Sequence, residues 1–298
     1  MDRKTILLTG GTGYLGSNLL KRLVGSGYKV ILLKRSSSNL IRIKKYTNKV
    51  TSYDIDQVPL ETVFLENTVD IILHCATDYG RRDPDPLRMI EANLVLPVKL
   101  IELGKNYQVN CFINTDTALD KSVSHYSLSK KQFRDWLSTY KKELICINVA
   151  IEHFYGPGDD ETKFVTYIVR NLIKNADRID LTKGEQERDF LYIDDAVDAF
   201  VKIIEYSDTL DTGFYEFEIG SSNPVSIREF VMLAKQLSGN DHTILNFGAL
   251  PYREHEVMNS TVNSTAIARL GWKCRVTVKD GLKKMIAIEK KSINQEEP

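Results

Sequence analysis

The sequence has little cysteine, no excess of either charge and no long hydrophobic run. Its 298 residues include only four cysteines, Cys75, Cys111, Cys146 and Cys274, without a CxxC pair, which argues against a zinc site or a disulfide framework. Lysine plus arginine equals aspartate plus glutamate at 40 each, so no net basic field directs the chain to nucleic acid or membrane. No segment is long enough to span a bilayer, and only Ile6–Leu8 is apolar before the first glycines. We therefore expect a cytoplasmic protein without a signal peptide.

The first half of the chain alternates short apolar runs with segments of helical spacing. Strands are predicted at Ile6–Leu8, Val30–Leu33, Ile71–Cys75, Cys111–Ile113 and Ile145–Val149. Helices are predicted at Leu15–Leu23, Leu87–Leu103 and Tyr126–Tyr140, the last burying one face made of Leu128, Phe133, Trp136, Leu137 and Tyr140. This alternation predicts an α/β fold, a Rossmann-type doubly wound parallel sheet that binds ligands at the carboxyl ends of its strands.

The second half begins where Gly156-Pro157-Gly158 interrupts the alternation. Helices then dominate, at Phe164–Ile173, Asp194–Ile204, Ile227–Leu237 and Val278–Ile288. We expect a cofactor domain at residues 1–155 and a smaller, helix-rich C-terminal substrate domain at 156–298, with some of its segments returning to the sheet. The polar tail, residues 290–298, is expected to be disordered.

A glycine turn follows the first predicted strand. Glycines three residues apart allow a tight turn that brings backbone N–H groups and a helix N-terminus against a pyrophosphate. The alternative is an ordinary turn between a strand and a helix, but the position directly after the first strand favours a dinucleotide site. The expected cofactor contacts of this turn are Gly10, Thr12, Gly13, Tyr14, Leu15 and Gly16.

Cations follow the second predicted strand, where NAD sites usually carry a carboxylate for the adenosine ribose. Lys34 and Arg35, with the hydroxyl of Ser36, would instead neutralise a 2′-phosphate, which predicts NADPH over NAD. The alternative is a solvated basic loop. Asp54 and Ile55 end the next candidate strand and are expected near the adenine, although a turn aspartate is nearly as good an interpretation.

A phenol and an ammonium lie four residues apart, at Tyr126 and Lys130, and so share one helix face. A nearby cation favours the phenolate, which would let the tyrosine exchange a proton with a sugar oxygen while hydride moves. Thr115 and Asp116 follow a predicted strand, where Thr115 could hold the reacting oxygen and Asp116 could orient or relay a proton. The alternatives are core packing for the pair and a loop of turn residues for Asn114–Thr117.

These residues together resemble the extended short-chain dehydrogenase/reductases that act on nucleotide sugars. The resemblance covers about Lys4 to Ile288 and rests on the glycine turn with Thr115, Tyr126 and Lys130. Further matching segments are Leu73–Ala76, Asn93, Tyr155–Gly158, Arg188–Asp195 and Gly271–Trp272. Two segments, Glu152–Pro157 and Phe247–Arg253, resemble most a branch of 4-keto-sugar reductases. In the first segment, His153 stands where many members of the family carry an asparagine that contacts substrate.

The resemblance implies the remaining site residues. Cys75, Ala76 and Asn93 join the cofactor contacts. Arg188 would bind the diphosphate, Arg253 a phosphate and Glu256 the nucleotide ribose, as guanidinium and carboxylate chemistry allows. The other expected substrate contacts are Thr77, Thr115, His153 and Lys163.

The expected function is NADPH-dependent reduction of a nucleotide-linked 4-keto-6-deoxyhexose, with Tyr126 as the acid. A CDP-linked substrate is favoured, while dTDP, UDP and GDP remain open, and the resemblance implies a homodimer. The alternatives are a 4-epimerase or a 4,6-dehydratase with tightly bound NAD. Thr117 stands where dehydratases carry a glutamate, which disfavours dehydration. A cofactor-binding redox sensor is the non-enzymatic alternative.

Overall fold

The computed structural model describes residues 4–80, 85–254 and 256–296. The chain forms two compact units. The first unit comprises Met1–Ile151 and Val197–Glu218, and the second comprises Glu152–Ala196 and Ile219–Pro298. The predicted use of 156–298 for nucleotide-sugar binding stays a prediction.

The strands alternate with helices through the first unit and are short in the second. The strands are β1 Thr5–Thr9, β2 Lys29–Lys34, β3 Thr51–Asp54, β4 Ile71–His74, β5 Cys111–Thr117, β6 Ile145–Ile151, β7 His153–Tyr155, β8 Arg178–Leu181, β9 Glu187–Arg188, β10 Phe190–Tyr192, β11 Gly213–Ile219, β12 Val225–Ser226 and β13 Ile244–Phe247. The α-helices are α1 Tyr14–Gly25, α2 Leu60–Glu66, α3 Pro86–Ile90, α4 Leu96–Asn106, α5 His125–Thr139, α6 Phe164–Ile173, α7 Ile193–Tyr206, α8 Ile227–Ser238, α9 Thr265–Arg269 and α10 Val278–Glu296. A π-helical stretch, Glu91–Val95, joins α3 to α4, and 3₁₀ turns occupy Ile41–Lys49 and Ser207–Thr209.

The seven-stranded sheet confirms the predicted fold class. Its order is β11-β6-β5-β4-β1-β2-β3, and the neighbours from β6 to β3 pair in parallel. Ile6, Leu7 and Leu8 of β1 are all fully buried, although successive residues of a strand point to opposite faces. The sheet is therefore covered on both faces, which explains its continuous apolar strands. The order reverses between β1 and β4, the position at which such sheets bind ligands.

Two predicted boundaries in this sheet were wrong in a way that affects the site. The fourth strand ends at His74, one residue before the expected Cys75. The fifth strand continues past Ile113 to Thr117, so residues 114–117 are strand residues and not the loop that their composition suggested. They pair with β6 as far as Ile151, and this pairing overrides their turn propensity.

The predicted helix at Leu87–Leu103 is interrupted, and part of the predicted face of α5 was wrong. The first segment is divided into α3, the π-helical stretch and α4, and Leu87 is exposed. On α5, Phe133 and Leu137 are fully buried, whereas Leu128 and Trp136 are exposed by 38% and 50%. At about 100° per residue, Leu128 falls on the side of α5 opposite to Phe133.

The polar C-terminal tail is helical as far as it is described. Helix α10 continues to Glu296, which corrects the expectation of disorder from residue 290 onward. Glu289 is buried and accepts a hydrogen bond from the Gly158 N–H, and Lys290 Nζ donates to the Ser238 carbonyl oxygen at 2.9 Å. These contacts anchor the helix within the second unit. Across the described ranges, no helix has the length and apolar character needed to cross a membrane.

Two aspartates of the Arg188–Asp195 segment hold loops of the second unit in place. Asp189 is buried and accepts hydrogen bonds from the Ser221 and Ser222 N–H groups at 2.6 and 2.7 Å. Asp195 accepts from the N–H groups of Arg275 and Val276 at 3.1 and 2.8 Å. Both acids therefore satisfy backbone donors that burial would otherwise leave unpaired.

Candidate active site

The glycine turn forms a cradle between β1 and α1. Gly10 has φ of +66°, and a Cβ there would lie 2.5 Å from the carbonyl carbon of Cys75. A Cβ on Gly16 would collide with the carbonyl oxygen of Gly10. Both positions therefore require glycine, one for its conformation and one for the close approach of helix to turn. No described side chain caps α1 at Gly13, so the positive end of this helix faces the turn.

The ends of β1 and β4 are joined by one hydroxyl. Thr9 Oγ1 accepts from the N–H groups of Cys75 and Ala76 at 3.1 and 3.0 Å and lies 2.9 Å from His74 Nδ1. Burial lowers the pKa of His74 well below its usual value and raises that of Cys75 to about 12, so both side chains are neutral at pH 7. The segment expected to contact the cofactor is thus fixed by backbone bonds, without a charged side chain.

Asn93 is fully buried and its amide is saturated. Its Oδ1 accepts from Thr77 Oγ1 and from the Asp78 N–H, and its Nδ2 donates to the Asp78 carbonyl and to Ser129 Oγ. These four bonds use the full capacity of the side chain. Asn93 thereby holds the loop after β4, which contains Thr77, against α5, and its predicted contact with the cofactor stays a prediction.

The basic segment after β2 faces carboxylates from β3 and the loop after it. Lys34 forms an ion pair with Asp54, its register partner on β3. Ser36 donates its N–H and its hydroxyl to Asp56 at 2.8 and 2.5 Å. Arg35 is exposed and forms no ion pair within residues 4–80, 85–254 and 256–296. Lys34 and Arg35 were both expected to supply positive charge for a 2′-phosphate. Because Lys34 is paired with Asp54, most of that charge comes from Arg35.

Helix α5 presents the tyrosine and the lysine. A capping box formed by Ser124 and Ser127 begins the helix, so Tyr126 and Lys130 lie one turn apart on its first two turns. Tyr126 is half-buried, and its ring centroid lies 4.8 Å from that of Tyr79. Lys130 is 1% exposed, and its Nζ lies 3.5 Å from Asn114 Oδ1. Burial lowers the pKa of Lys130 to about 8.

Thr115 and Asp116 are buried in β5, in the strand that packs against α5. Thr115 is 8% exposed. The Asp116 carboxylate is fully buried and contacts Lys131 Nζ at 3.1 Å and Asn148 Nδ2 at 3.0 Å. Sequence reasoning did not assign a role to Lys131 or Asn148. A polar residue inside the apolar run of β6 was the signal that could have found Asn148.

The cofactor loop has the features that a dinucleotide requires. The turn has no side chains at Gly10 and Gly16, and no described side chain caps the N-terminus of α1. The turn and this helix end follow β1, where the strand order of the sheet reverses. Thr12, Tyr14 and Leu15 are half-buried on this turn. Ile55 follows β3, where its N–H donates to the Lys34 carbonyl at 2.9 Å.

The second unit holds the residues predicted to bind the substrate nucleotide. Arg188 forms an ion pair with Glu256, and each side chain is 13% exposed. The same guanidinium donates to the carbonyls of Glu187 and Val257, both at 2.6 Å. Arg253 is exposed, and its carbonyl accepts from the Glu256 N–H at 3.1 Å. The residues predicted to bind the diphosphate and the ribose thus form an ion pair with each other.

His153 begins β7 and is oriented by a buried acid. Its Nδ1 lies 3.2 Å from the Glu152 carboxylate, whose side chain is 6% exposed, whereas the imidazole is 43% exposed. The ring makes an edge contact with Phe190. Lys163, another predicted substrate contact, is half-buried at the start of α6.

The chain belongs to the NAD dependent epimerase/dehydratase family, whose model matches residues 6–220. This match confirms the family resemblance and identifies an NAD(P)-dependent enzyme.

Among its relatives, the CDP-abequose synthase of Salmonella muenchen is 32% identical over 295 residues, covering 96% of this chain and 98% of that protein. The structure of UDP-glucose 4-epimerase with UDP-glucose from Thermotoga maritima has a TM-score of 0.84 at 23% identity, covering 97% of this chain and 99% of that chain. The UDP-glucuronic acid 4-epimerase of Bacillus cereus, in complex with UDP-glucuronic acid and NAD, has a TM-score of 0.83 at 20% identity, covering the same shares. At these identities the two solved structures establish the fold.

Proposed function

We propose that this protein is an NADPH-dependent reductase of a nucleotide-linked 4-keto-6-deoxyhexose. The observation that carries the proposal is the Tyr126–Lys130 pair on α5, a helix that packs against β5, the strand of Thr115, in a unit that also contains the glycine cradle. The similarity to a CDP-abequose synthase over nearly the whole chain favours reduction and a CDP-linked substrate. An expected place in deoxysugar and surface-glycan biosynthesis follows from the same similarity.

Each residue of this set has a separate task. The reduced nicotinamide would supply hydride to C4 of the sugar. Tyr126 donates its phenolic proton to the oxygen that becomes an alkoxide, and Thr115 donates a hydrogen bond to that oxygen. Lys130, as an ammonium, favours the phenolate that is left behind. The proton and the hydride together convert the ketone to an alcohol.

Nucleotide binding is assigned to the second unit. Arg188 and Arg253 would bind the diphosphate, and Glu256 would accept hydrogen bonds from the ribose hydroxyls. His153 is the proposed donor to a sugar hydroxyl, because Glu152 fixes its Nδ1 and leaves Nε2 available. These groups would supply binding energy for the nucleotide part of the substrate.

The cofactor preference rests on Arg35. Its guanidinium matches the geometry of a 2′-phosphate, and Lys34 adds less because Asp54 neutralises it. Because the Lys34–Asp54 ion pair leaves less positive charge to attract a 2′-phosphate, we expect only a moderate preference for NADPH over NAD.

A 4-epimerase with bound NAD is the second candidate. The Lys34–Asp54 ion pair favours it, because the pair weakens the field that would select a 2′-phosphate. The Bacillus cereus epimerase structure contains NAD.

The decisive experiment offers purified protein a panel of CDP-, dTDP-, UDP- and GDP-linked 4-keto-6-deoxy sugars. NADPH and NADH oxidation are followed separately, and products are identified by mass spectrometry. We expect oxidation of NADPH in excess of NADH and a product two mass units heavier than the ketone. Conversion of a UDP-hexose to its C4 epimer without added cofactor, with no reduction of any ketone, would establish the epimerase instead.

We also propose that the protein is a homodimer through α3–α4 and α5. These segments expose Leu87, Ile90, Leu128 and Trp136 by 76, 39, 38 and 50%. Light scattering coupled to gel filtration measures the mass, and replacing Leu128 and Trp136 by glutamate should yield the monomer. A monomeric wild-type protein would refute this part.

A further inference from the structure

Two consecutive lysines of α5 are joined by a chain of buried polar side chains. Lys131 contacts Asp116 at 3.1 Å, and Asn148 donates to the same carboxylate oxygen at 3.0 Å. Asn114 then donates to Asn148 Oδ1 at 2.8 Å, and Lys130 donates to Asn114 Oδ1 at 3.5 Å. We call these five residues the two-lysine network.

The Asp116 carboxylate is fully buried and already accepts three hydrogen bonds within the unit. Its Oδ2 accepts from Lys131 and Asn148, and its Oδ1 accepts from the Thr117 N–H at 2.7 Å. Lys131 also donates to the Thr117 carbonyl at 2.7 Å. A buried carboxylate is stable only when it is paired in this way. These partners hold the Asp116 carboxylate in one position inside the unit.

The hydrogen bonds of the network have one consistent direction. Because the Asn148 amide nitrogen donates to Asp116, its carbonyl faces Asn114. The Asn114 amide nitrogen then faces Asn148, and its carbonyl faces the Lys130 ammonium. A change at Asp116 therefore propagates to the acceptor that holds Lys130.

We infer that Asp116 is a positioning residue, which sets the orientation and the charge of Lys130 through Asn148 and Asn114. Lys131 is the cation that pairs with Asp116 and opposes its effect on Lys130. The inference rests on the proposed function, in which Lys130 favours the phenolate of Tyr126.

The charges that face Lys130 act in opposite directions. Burial lowers the pKa of Lys130 to about 8, the negative charge of Asp116 raises it, and the positive charge of Lys131 lowers it. His74 on β4 is neutral. Removing Asp116 or Lys131 should therefore move the titration of Lys130 in opposite directions, whereas a purely structural role would not give opposite signs.

The experiment titrates Lys130 directly by NMR of protein labelled with carbon-13 at lysine Cε, with the signal assigned by its loss in Lys130→Met. Asp116→Asn should lower the midpoint by on the order of one pH unit, and Lys131→Met should raise it by a similar amount. Lys142→Met, which removes an exposed lysine outside the network, is the matched control and should leave the midpoint unchanged. Circular dichroism verifies that each variant is folded, and either folded variant is sufficient for a decision.

A second readout is the alkaline limb of the kcat profile with NADPH. It should follow the NMR midpoint in each variant, while KM for NADPH changes less than about threefold. An unmoved midpoint in a folded variant, or a shift of the same sign in both, would overturn the inference. A wild-type protein that reduces no 4-keto sugar would refute the proposed function instead, and the NMR titration would still decide the role of Asp116.

Discussion

The candidate residues of the two units differ in their burial and in their polar partners. In the first unit, Lys130 is 1% exposed and belongs to a network in which every described polar group has a partner. In the second unit, Arg188 and Glu256 pair with each other while Arg253 is exposed. The proposed reacting groups are thus preorganised, whereas we expect the proposed nucleotide ligands to exchange partners when substrate binds. Changes in the first unit should therefore affect turnover, and changes in the second should affect binding.

The largest expected effect comes from the phenol. Tyr126→Phe keeps the ring but removes the proton donor, and general acid catalysis of this kind contributes about 10²- to 10⁴-fold. We expect kcat to fall by that factor with KM nearly unchanged, as measured by steady-state NADPH oxidation. Tyr79→Phe, which changes the neighbouring ring in the same way, is the control and should cost less than about threefold. Turnover of Tyr126→Phe within a few-fold of wild type would remove this residue from the acid role.

The free energy of unfolding provides a second test of the buried Lys130 ammonium. The folded pKa of Lys130, about 8, lies below its ordinary value of 10.5. The unfolded chain therefore holds the additional proton between these values, so wild-type stability rises with pH across this window and the buried charge is unfavourable below it. Lys130→Met should stabilise the protein at pH 7 by up to about 3 kcal/mol and abolish that rise.

Urea unfolding at pH 7 and pH 10 measures both quantities. Lys131→Met is the matched control, because it leaves the buried Asp116 carboxylate uncompensated and should destabilise the protein. If Lys130→Met and Lys131→Met changed the free energy of unfolding in the same direction, the assignment of Lys130 as a desolvated cation would be contradicted.

The second unit should respond in KM. Arg188→Met removes the proposed diphosphate ligand, and loss of a charge-assisted bidentate contact costs about ten- to a hundredfold in affinity. We expect KM for the nucleotide sugar to rise by that factor while kcat changes less than about threefold. Arg178→Met, which removes an exposed arginine paired with Asp180 in the same unit, should leave both constants unchanged. A fall in kcat of Arg188→Met with KM unchanged would contradict the assignment of nucleotide binding to the second unit.

The smallest effects concern the choice of cofactor. Arg35→Ala should lower the ratio of kcat/KM for NADPH over NADH about tenfold, because one charge-assisted contact is lost. Lys34→Met should change this ratio less, since Asp54 already neutralises Lys34, and Asp54→Asn should raise it. Competition between the two cofactors, followed by product formation, measures all three. A larger loss for Lys34→Met than for Arg35→Ala would place the 2′-phosphate on the lysine.

Sequence reasoning succeeded where one local pattern implies one structure. The glycine spacing after an apolar run predicted the turn at Gly10 and Gly16, and the alternation of runs predicted the parallel sheet. It failed where a distant partner decides. The ion pair of Lys34 was not foreseen, because nothing in its own segment indicates that Asp54 lies beside it on the neighbouring strand, and its predicted contact with a 2′-phosphate stays a prediction. Leu128 was placed in the core, although the angular position of α5 against the sheet leaves it exposed.

The order of apolar strands and helices, the glycine cradle and the four-residue spacing of Tyr126 and Lys130 were determined by the sequence alone, because each depends on periodicity and backbone freedom within a short segment. The tertiary structure alone decided which charges are already neutralised. Lys131 faces Asp116, Lys34 faces Asp54 and Arg188 faces Glu256 across 15, 20 and 68 positions of the chain. Electrostatic interaction depends on distance in space and on burial, and neither is written in the order of residues.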